Sequence, residues 1–302
     1  MAIGKLPLKR LTALAIALFP MFALAATFDH PLYGVASIES VPKYDEGFAG
    51  LFVWLQEEVF WKLFLAIAVL TPLAFAGHYA LIGAKRFSHE GKKILVFGLI
   101  ARVFHWLAAI SFIILIPTGF AMIFGETLGG GAFVRFCKNM HAIATIIFAI
   151  SVLPIVVFWI KDMFFHTDDI KWILIGGGYL SKEKKPVPAG KFNGGQKAWF
   201  WLAIFGGIIM IITGALMYFL NYDLSPFASL LGLTQIELLR LAAIVHNFLG
   251  MAITALFIVH LYMSVFAIKG SLDSMIDGYK SEDEISVLHS SWYKKLKAGG
   301  KI

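Results

Sequence analysis

Long apolar runs alternate with short polar, mostly basic stretches along this chain. Five runs stand out, at about 59–82, 102–124, 141–160, 198–220 and 242–268. A helix needs about 20 apolar residues to cross a hydrocarbon core, and each run supplies them. With no water to take up backbone N–H and C=O groups, each run is predicted to be a helix. Pro72, Pro117 and Pro154 lie inside runs. They predict local kinks rather than breaks, because neighbouring helices re-satisfy the freed carbonyl. The pattern therefore predicts an all-α fold, a polytopic transmembrane helix bundle of five spans.

The segment before the first run reads differently. Residues 1–25 have the form of a signal peptide, with Lys5, Lys9 and Arg10 at the start, an apolar stretch from Leu11 to Phe22, and Ala23-Leu24-Ala25 before Ala26. An uncleaved anchor helix is the other reading, and both put residue 27 outside the cytoplasm. Residues 26–58 carry Asp29, Glu39, Asp45, Glu46, Glu57 and Glu58 and are expected to form an extracytoplasmic lead-in that touches a partner subunit. The organisation expected after it is an additional transmembrane helix at 59–82, a four-helix bundle at 95–270 and a tail at 271–302. Loop 161–197, with Gly176-Gly177-Gly178 and a Lys-rich stretch, reads as a solvated connector.

Composition and charge agree with a membrane protein and orient it. Hydrophobic residues make up 59% of the chain and charged residues 15%, against about a quarter charged in soluble domains. Of the 26 Lys and Arg residues, seventeen fall in 83–100, 161–197 and 269–302, and only Lys43, Arg135, Lys138 and Arg240 fall in the opposite set of loops. By the positive-inside rule the first set is cytoplasmic, and so is the C-terminus. Topology thus accounts for the +7 net charge, and no nucleic-acid partner is expected. The single cysteine, Cys137, excludes a disulfide framework, a cysteine-ligated iron–sulfur cluster and a C-x-x-C-H haem attachment.

Candidate chemistry lies in four histidines near helix ends: His105, His141, His246 and His260. Ionisable groups within a membrane are costly and mark function. The expected topology puts His105 and His260 towards the cytoplasmic side, and His141 and His246 towards the outer side. Residues 246 and 260 are fourteen apart, which returns to within about 40° of one helix face and separates them by about 21 Å. One helix then supplies a ligand to each of two stacked metal centres, His141 with His246 and His105 with His260. Bis-histidine ligation of two haem b groups, suited to electron transfer, is the expected chemistry. Arg102, one turn before His105, is expected to pair with a haem propionate or to be an ordinary positive-inside arginine. Gly119 either admits a flat ring or allows close helix packing. His78 is expected to be interfacial, and His30, His89, His166 and His289 to be solvated.

Several strings resemble the gamma, or cytochrome b, subunit of membrane-bound formate dehydrogenases. They are Arg102-Val103-Phe104-His105-Trp106, Gly190-Lys191-Phe192-Asn193-Gly194-Gly195-Gln196-Lys197, the His246/His260 spacing, Lys269-Gly270-Ser271 leading to Met275-Ile276-Asp277-Gly278, and His289-Ser290-Ser291-Trp292-Tyr293. The resemblance runs from about residue 95 to 297 and follows a long form of the family with an N-terminal extension. It implies a subunit that takes electrons from an iron–sulfur subunit, itself fed by a molybdenum or tungsten catalytic subunit. The electrons then pass through two haems to a membrane quinone, such as menaquinone, in the inner membrane. Asn193, Gly195 and Gln196 are implied at the quinone site, with amide donors for the quinone carbonyls. The same string also reads as turn and helix-cap chemistry. Lys191 and Lys269 lie near the level at which protons would enter. Two rival readings stay open, a cytochrome b subunit of a nickel–iron hydrogenase or thiosulfate reductase, and a haem-free anchor or transporter.

Overall fold

The computed structural model describes residues 48–88, 91–300 and 302. The expected signal peptide and most of the expected lead-in lie outside the described residues. Among those described, five helices are long and apolar enough to cross a membrane: α1 (Ala49–Ile82), α2 (Leu99–Ile123), α3 (Gly131–Asp162), α5 (Gly194–Tyr218) and α7 (Gln235–Ala267). Short helices α4 (Thr167–Leu174) and α6 (Ser225–Leu230) lie between them, and α8 (Asp273–Ile276), α9 (Glu282–Leu288) and α10 (Ser290–Ala298) follow. The chain is an all-α, multi-pass membrane bundle, as its hydropathy predicts. The α-helices containing Pro72, Pro117 and Pro154 each continue through the proline.

All five spans begin before their apolar runs, three of them by seven residues or more. α1 starts at Ala49 rather than near 59, α3 at Gly131 rather than near 141, and α7 at Gln235 rather than near 242. Hydropathy marks only the part of a helix that meets hydrocarbon, whereas the backbone ladder continues past it. For α7 the start is a capping box: the Thr234 side chain accepts from the Glu237 N–H, and the Glu237 carboxylate accepts from the Thr234 N–H at 2.8 Å. Residues 49–58 of the expected lead-in are therefore helical, and Glu58 pairs with Lys62 one turn on at 2.7 Å.

The spans pack as two main pairs, α2 against α3 and α5 against α7, with α1 laid on α7. Aromatic rings fill the middle. Phe112 stacks on Phe257 with centroids 5.7 Å apart and meets the Phe148 edge at 5.1 Å. Gly207 makes room for this layer, since a Cβ there would stand 2.6 Å from Phe148 Cε1. On the outside, Leu70, Leu73, Ile146, Leu153 and Val157 are exposed. A band of this extent would be a sticky patch in water, and in a bilayer it faces its solvent.

At the basic end the loops and the tail form one cap. Strands β1 (Lys93–Leu95) and β2 (Tyr279–Ser281) pair antiparallel, Ile94 opposite Lys280. The connector reading of 161–197 holds for residues 181–186, which are exposed, but Val187 and Ala189 are buried against the tail. The Val187 N–H donates to the Val287 carbonyl at 2.7 Å, and the Trp292 N–H to the Ala189 carbonyl at 3.1 Å. Within the tail, Lys280 and Glu284 form an ion pair only 7% and 2% exposed. Removing one member of such a pair strands the other charge, at a cost of about 3–5 kcal/mol. Glu284→Ala is thus expected to loosen the cap by that order while the spans stay folded. Limited proteolysis in detergent should show early cleavage within 280–300, and cleavage kinetics equal to those of the parent protein would refute it.

Candidate functional site

The four intramembrane histidines come together in two pairs. α7 carries His246 and His260, whose fourteen-residue spacing separates them by about 21 Å along one face. The His246 ring faces His141 of α3, with centroids 6.3 Å apart and planes at 50°. The His260 ring faces His105 of α2, again at 6.3 Å and at 55°. Direct packing or hydrogen bonding would bring two imidazoles closer. A metal–imidazole bond is about 2 Å, and the centre of a five-membered ring with bonds near 1.33 Å lies about 1.1 Å from its nitrogen. Two imidazoles on opposite sides of one metal therefore have centroids about 6.3 Å apart, the separation found at both pairs.

The kind of metal group follows from the donor count. Among the described residues no group of three or more His, Cys, Asp or Glu side chains could hold a bare ion. Two imidazoles complete a site only if another group brings the remaining ligands, as a tetrapyrrole does with its four ring nitrogens. The imidazole pairs fit haem.

The surroundings of the two pairs differ. His141 Nδ1 lies 3.0 Å from Thr118 Oγ1, and His246 Nδ1 lies 2.9 Å from Thr213 Oγ1. Gly119 and Gly214 follow these threonines, and a Cβ on Gly214 would press to 3.2 Å from His246 Cε1. At Gly119 the same test gives 3.6 Å from His141 Cε1, an ordinary contact. Around the other pair, Trp199 of α5 stacks on His260 at 5.4 Å and 19°, and Trp159 lies 6.3 Å from His105. His105 Nδ1 is buried with no hydrogen-bond partner.

Asn193, Gly195 and Gln196 sit at the start of α5. Asn193 is the N-cap: its Oδ1 accepts from the Gln196 N–H, and Gln196 Oε1 accepts from the Asn193 N–H, both at 2.9 Å. The capping function read in this string is present, and it occupies both amide oxygens while the NH2 groups have no partner among the described residues. Gly195 is required by the chain's own packing, since a Cβ there would come 2.8 Å from Trp172 Cη2. The turn is anchored below by a buried ion pair, Lys197 Nζ to Asp169 Oδ2 of α4 at 2.7 Å. Trp199, one turn after Gln196, carries this helix start to His260. Nearby, an apolar cleft of about 570 Å³ is lined by Phe97, Ala101, Trp159 and Lys191 among others.

The remaining histidines and charges fall as follows. The Arg102 guanidinium donates to the Ile276 carbonyl, while its Nε is buried without a partner. Lys191 lies over the Phe97 and Phe192 rings, and Lys269 is exposed. His78, expected at the interface, is fixed by Tyr262 Oη at 2.6 Å and the Tyr179 carbonyl at 3.0 Å. His166 is exposed as expected; His30 and His89 lie outside the described residues. His289 corrects the expectation of a solvated side chain. It is 3% exposed, with Nδ1 2.8 Å from the Gly190 carbonyl. The tail's docking onto 187–190, which buries this side chain, is a long-range contact with no local signature in the sequence.

Sequence reasoning also missed Thr118, Thr213, Gly214 and Trp199. A signal for the first three was present: the dipeptide Thr-Gly recurs as Thr118-Gly119 and Thr213-Gly214 in two different spans.

Residues 96–278 match the family described as prokaryotic cytochrome b561. The cytochrome b556 subunit of the nitrate-inducible formate dehydrogenase of Escherichia coli (strain K12) is 26% identical over 215 residues, spanning 68% of this chain and 93% of that protein. A second Escherichia coli (strain K12) formate dehydrogenase cytochrome b556 subunit is 23% identical, over 65% of this chain and 90% of its own length. The formate dehydrogenase cytochrome b556 subunit of Haemophilus influenzae is 25% identical over 65% of this chain and 80% of that protein.

His289 makes the cap sensitive to acid. Burial drives its imidazole down from 6.5 to about 4, with Lys280 adding to the effect and the Gly190 carbonyl opposing it. The unfolded tail then binds one more proton than the folded tail between those values. The contribution of His289 to cap stability is complete above about pH 6.5 and is lost as pH falls towards 4. Tail proteolysis measured across that window should accelerate in acid for the parent protein and much less for His289→Asn, which keeps a donor for Gly190 without titrating. Identical pH profiles would refute this.

Proposed function

The chain belongs to the prokaryotic cytochrome b561 family, and from that premise we propose that it is the membrane cytochrome b subunit of a formate dehydrogenase complex, carrying electrons from an iron–sulfur subunit to a membrane quinone. The observation that carries the reading is the pair of 6.3 Å imidazole gaps, both built on α7. The formate dehydrogenase relatives, which this chain spans almost end to end, direct it to that complex rather than to a hydrogenase. Cys137 alone cannot build an iron–sulfur cluster, so formate oxidation and cluster chemistry belong to partner subunits.

His105 and His260 would hold one haem b and His141 and His246 a second, and each group when bound would supply a one-electron carrier. The protein orients the imidazoles from three helices and packs the buried rings of Phe112, Phe148 and Phe257 together in the core of the bundle, which excludes water. Arg102, one turn from His105 with Nε unpartnered, is placed for a carboxylate such as a haem propionate. Loop charge assigns the basic end to the cytoplasm, so the His141–His246 site lies on the outer side of a bacterial inner membrane and receives electrons there.

The quinone site is proposed beside the His105–His260 pair, where α5 begins. Asn193 and Gln196 keep their NH2 groups free while their oxygens cap the helix. Trp199 links that turn to His260 by stacking. The apolar cleft beside Trp159 has the size of a ligand pocket and suits an isoprenoid tail.

Two experiments test the reading. His105→Ala or His260→Ala should abolish one of two bis-histidine haem signals and keep the other. His141→Ala or His246→Ala should abolish the complementary signal. Two intact signals in the His105→Ala protein would reject the pairing. Separately, Asn193→Ala combined with Gln196→Ala should leave both haems reducible by formate, with capping loss of only about 1 kcal/mol. Electron transfer onward to a menaquinone analogue should slow by at least tenfold. An unchanged quinone rate would return the motif to a purely structural cap.

A further inference from the structure

The two histidine pairs are alike in spacing and unlike in what touches their outer nitrogens. Thr118 Oγ1 lies 2.7 Å from the Ile114 carbonyl and 3.0 Å from His141 Nδ1. Thr213 Oγ1 lies 2.8 Å from the Ile209 carbonyl and 2.9 Å from His246 Nδ1. A hydroxyl has one hydrogen to donate and two lone pairs. A carbonyl oxygen can only accept, so it takes the hydroxyl hydrogen. Each threonine oxygen must then accept from the ring N–H. This settles the tautomer: Nδ1 carries the proton and Nε2 keeps the lone pair for a metal.

Back-bonding to the preceding turn is common for hydroxyl residues in helices, and Ser111, Thr145, Ser151 and Ser264 do it here without touching a ring. Among the described hydroxyls that bond back to the preceding turn, Thr118 and Thr213 alone add an imidazole contact, one for each member of the same pair.

A hydrogen bond from the far nitrogen leaves more electron density on the ring and makes it a stronger donor to its metal. The run of carbonyl, hydroxyl and ring N–H polarises in one direction, which strengthens each link. A stronger donor favours the more positive, oxidised metal. At the other pair the lever is missing. His105 Nδ1 is buried without a partner, and the His260 ring makes no hydrogen bond among the described residues, its neighbour being the face of Trp199. The Arg102 cation, one turn from His105, further favours the reduced state there.

We propose that Thr118 and Thr213 hold the His141–His246 haem at a lower reduction potential than the His105–His260 haem, so that electrons pass downhill from the outer side to the basic end. This rests on the two-haem reading above and names what directs the flow between the sites. The threonines are positioning residues: they act through the imidazoles.

The test is a potentiometric titration of the intact complex, followed at the haem absorption bands, with the His105→Ala protein used to assign the outer signal. In the parent protein the outer haem should titrate lower. In Thr118→Val with Thr213→Val, an isosteric change that removes both acceptors, the outer midpoint should rise. The expected change is about tenfold in its reduction equilibrium, equivalent to about 59 mV for one electron, with the inner midpoint unmoved. Thr118→Ser with Thr213→Ser keeps both hydroxyls and should restore the parent value. The single valine variants should each give part of the rise, which guards against loss of the outer haem in the double variant. Two haems with an unchanged outer midpoint, or a parent protein whose outer haem titrates above its inner one, would overturn the proposal. A parent protein with fewer than two haem signals would instead overturn the two-haem reading.

Discussion

The whole arrangement depends on two fixed gaps between imidazole rings inside a bundle that excludes water. An imidazole in hydrocarbon cannot be left to solvent, and it is not free to swing, because its ring nitrogens need partners. Holding two such rings 6.3 Å apart demands helices that do not move relative to one another. The stacked layer of Phe112, Phe148 and Phe257 between the pairs supplies that rigidity. α7 matters most, since it enters both gaps and packs against α1 and α5.

The basic end serves the same constraint from outside the membrane. There the chain has water available and still builds an ordered cap, with a two-stranded ribbon, a buried Lys280–Glu284 pair and a docked tail. The tail's hydrogen bonds to residues 187–190 fix the segment that leads into Asn193. The Lys197–Asp169 pair fixes the same turn from the other side. The start of α5 is thus held at two points before it presents Trp199 to His260.

The two pairs differ one layer beyond the imidazoles. The spacing is the same, but one pair has hydroxyl acceptors at both outer nitrogens and the other has an aromatic face and an unpaired nitrogen. Local helix chemistry produces the first environment, with each threonine using its own preceding turn to orient its hydroxyl. Long-range packing of α5 on α7 produces the second.

By itself the sequence determined the fold class, the five spans and the four histidines that meet. These are legible because a bilayer forces each crossing to be a helix of nearly fixed length, and because fourteen residues on one helix is a definite distance and direction. It left the helix starts blurred, since hydropathy fades where α3 and α7 leave the hydrocarbon although their ladders continue, as the Thr234 capping box does for α7. Only the tertiary structure decided that His289 is buried, that Gly195 yields to Trp172, and that Thr118 and Thr213 reach the rings of His141 and His246. Each of these joins residues on separate elements, through a docking or a helix rotation that packing settles. Periodicity along one helix says which face a residue occupies, and the neighbour that face meets is fixed by the other helices.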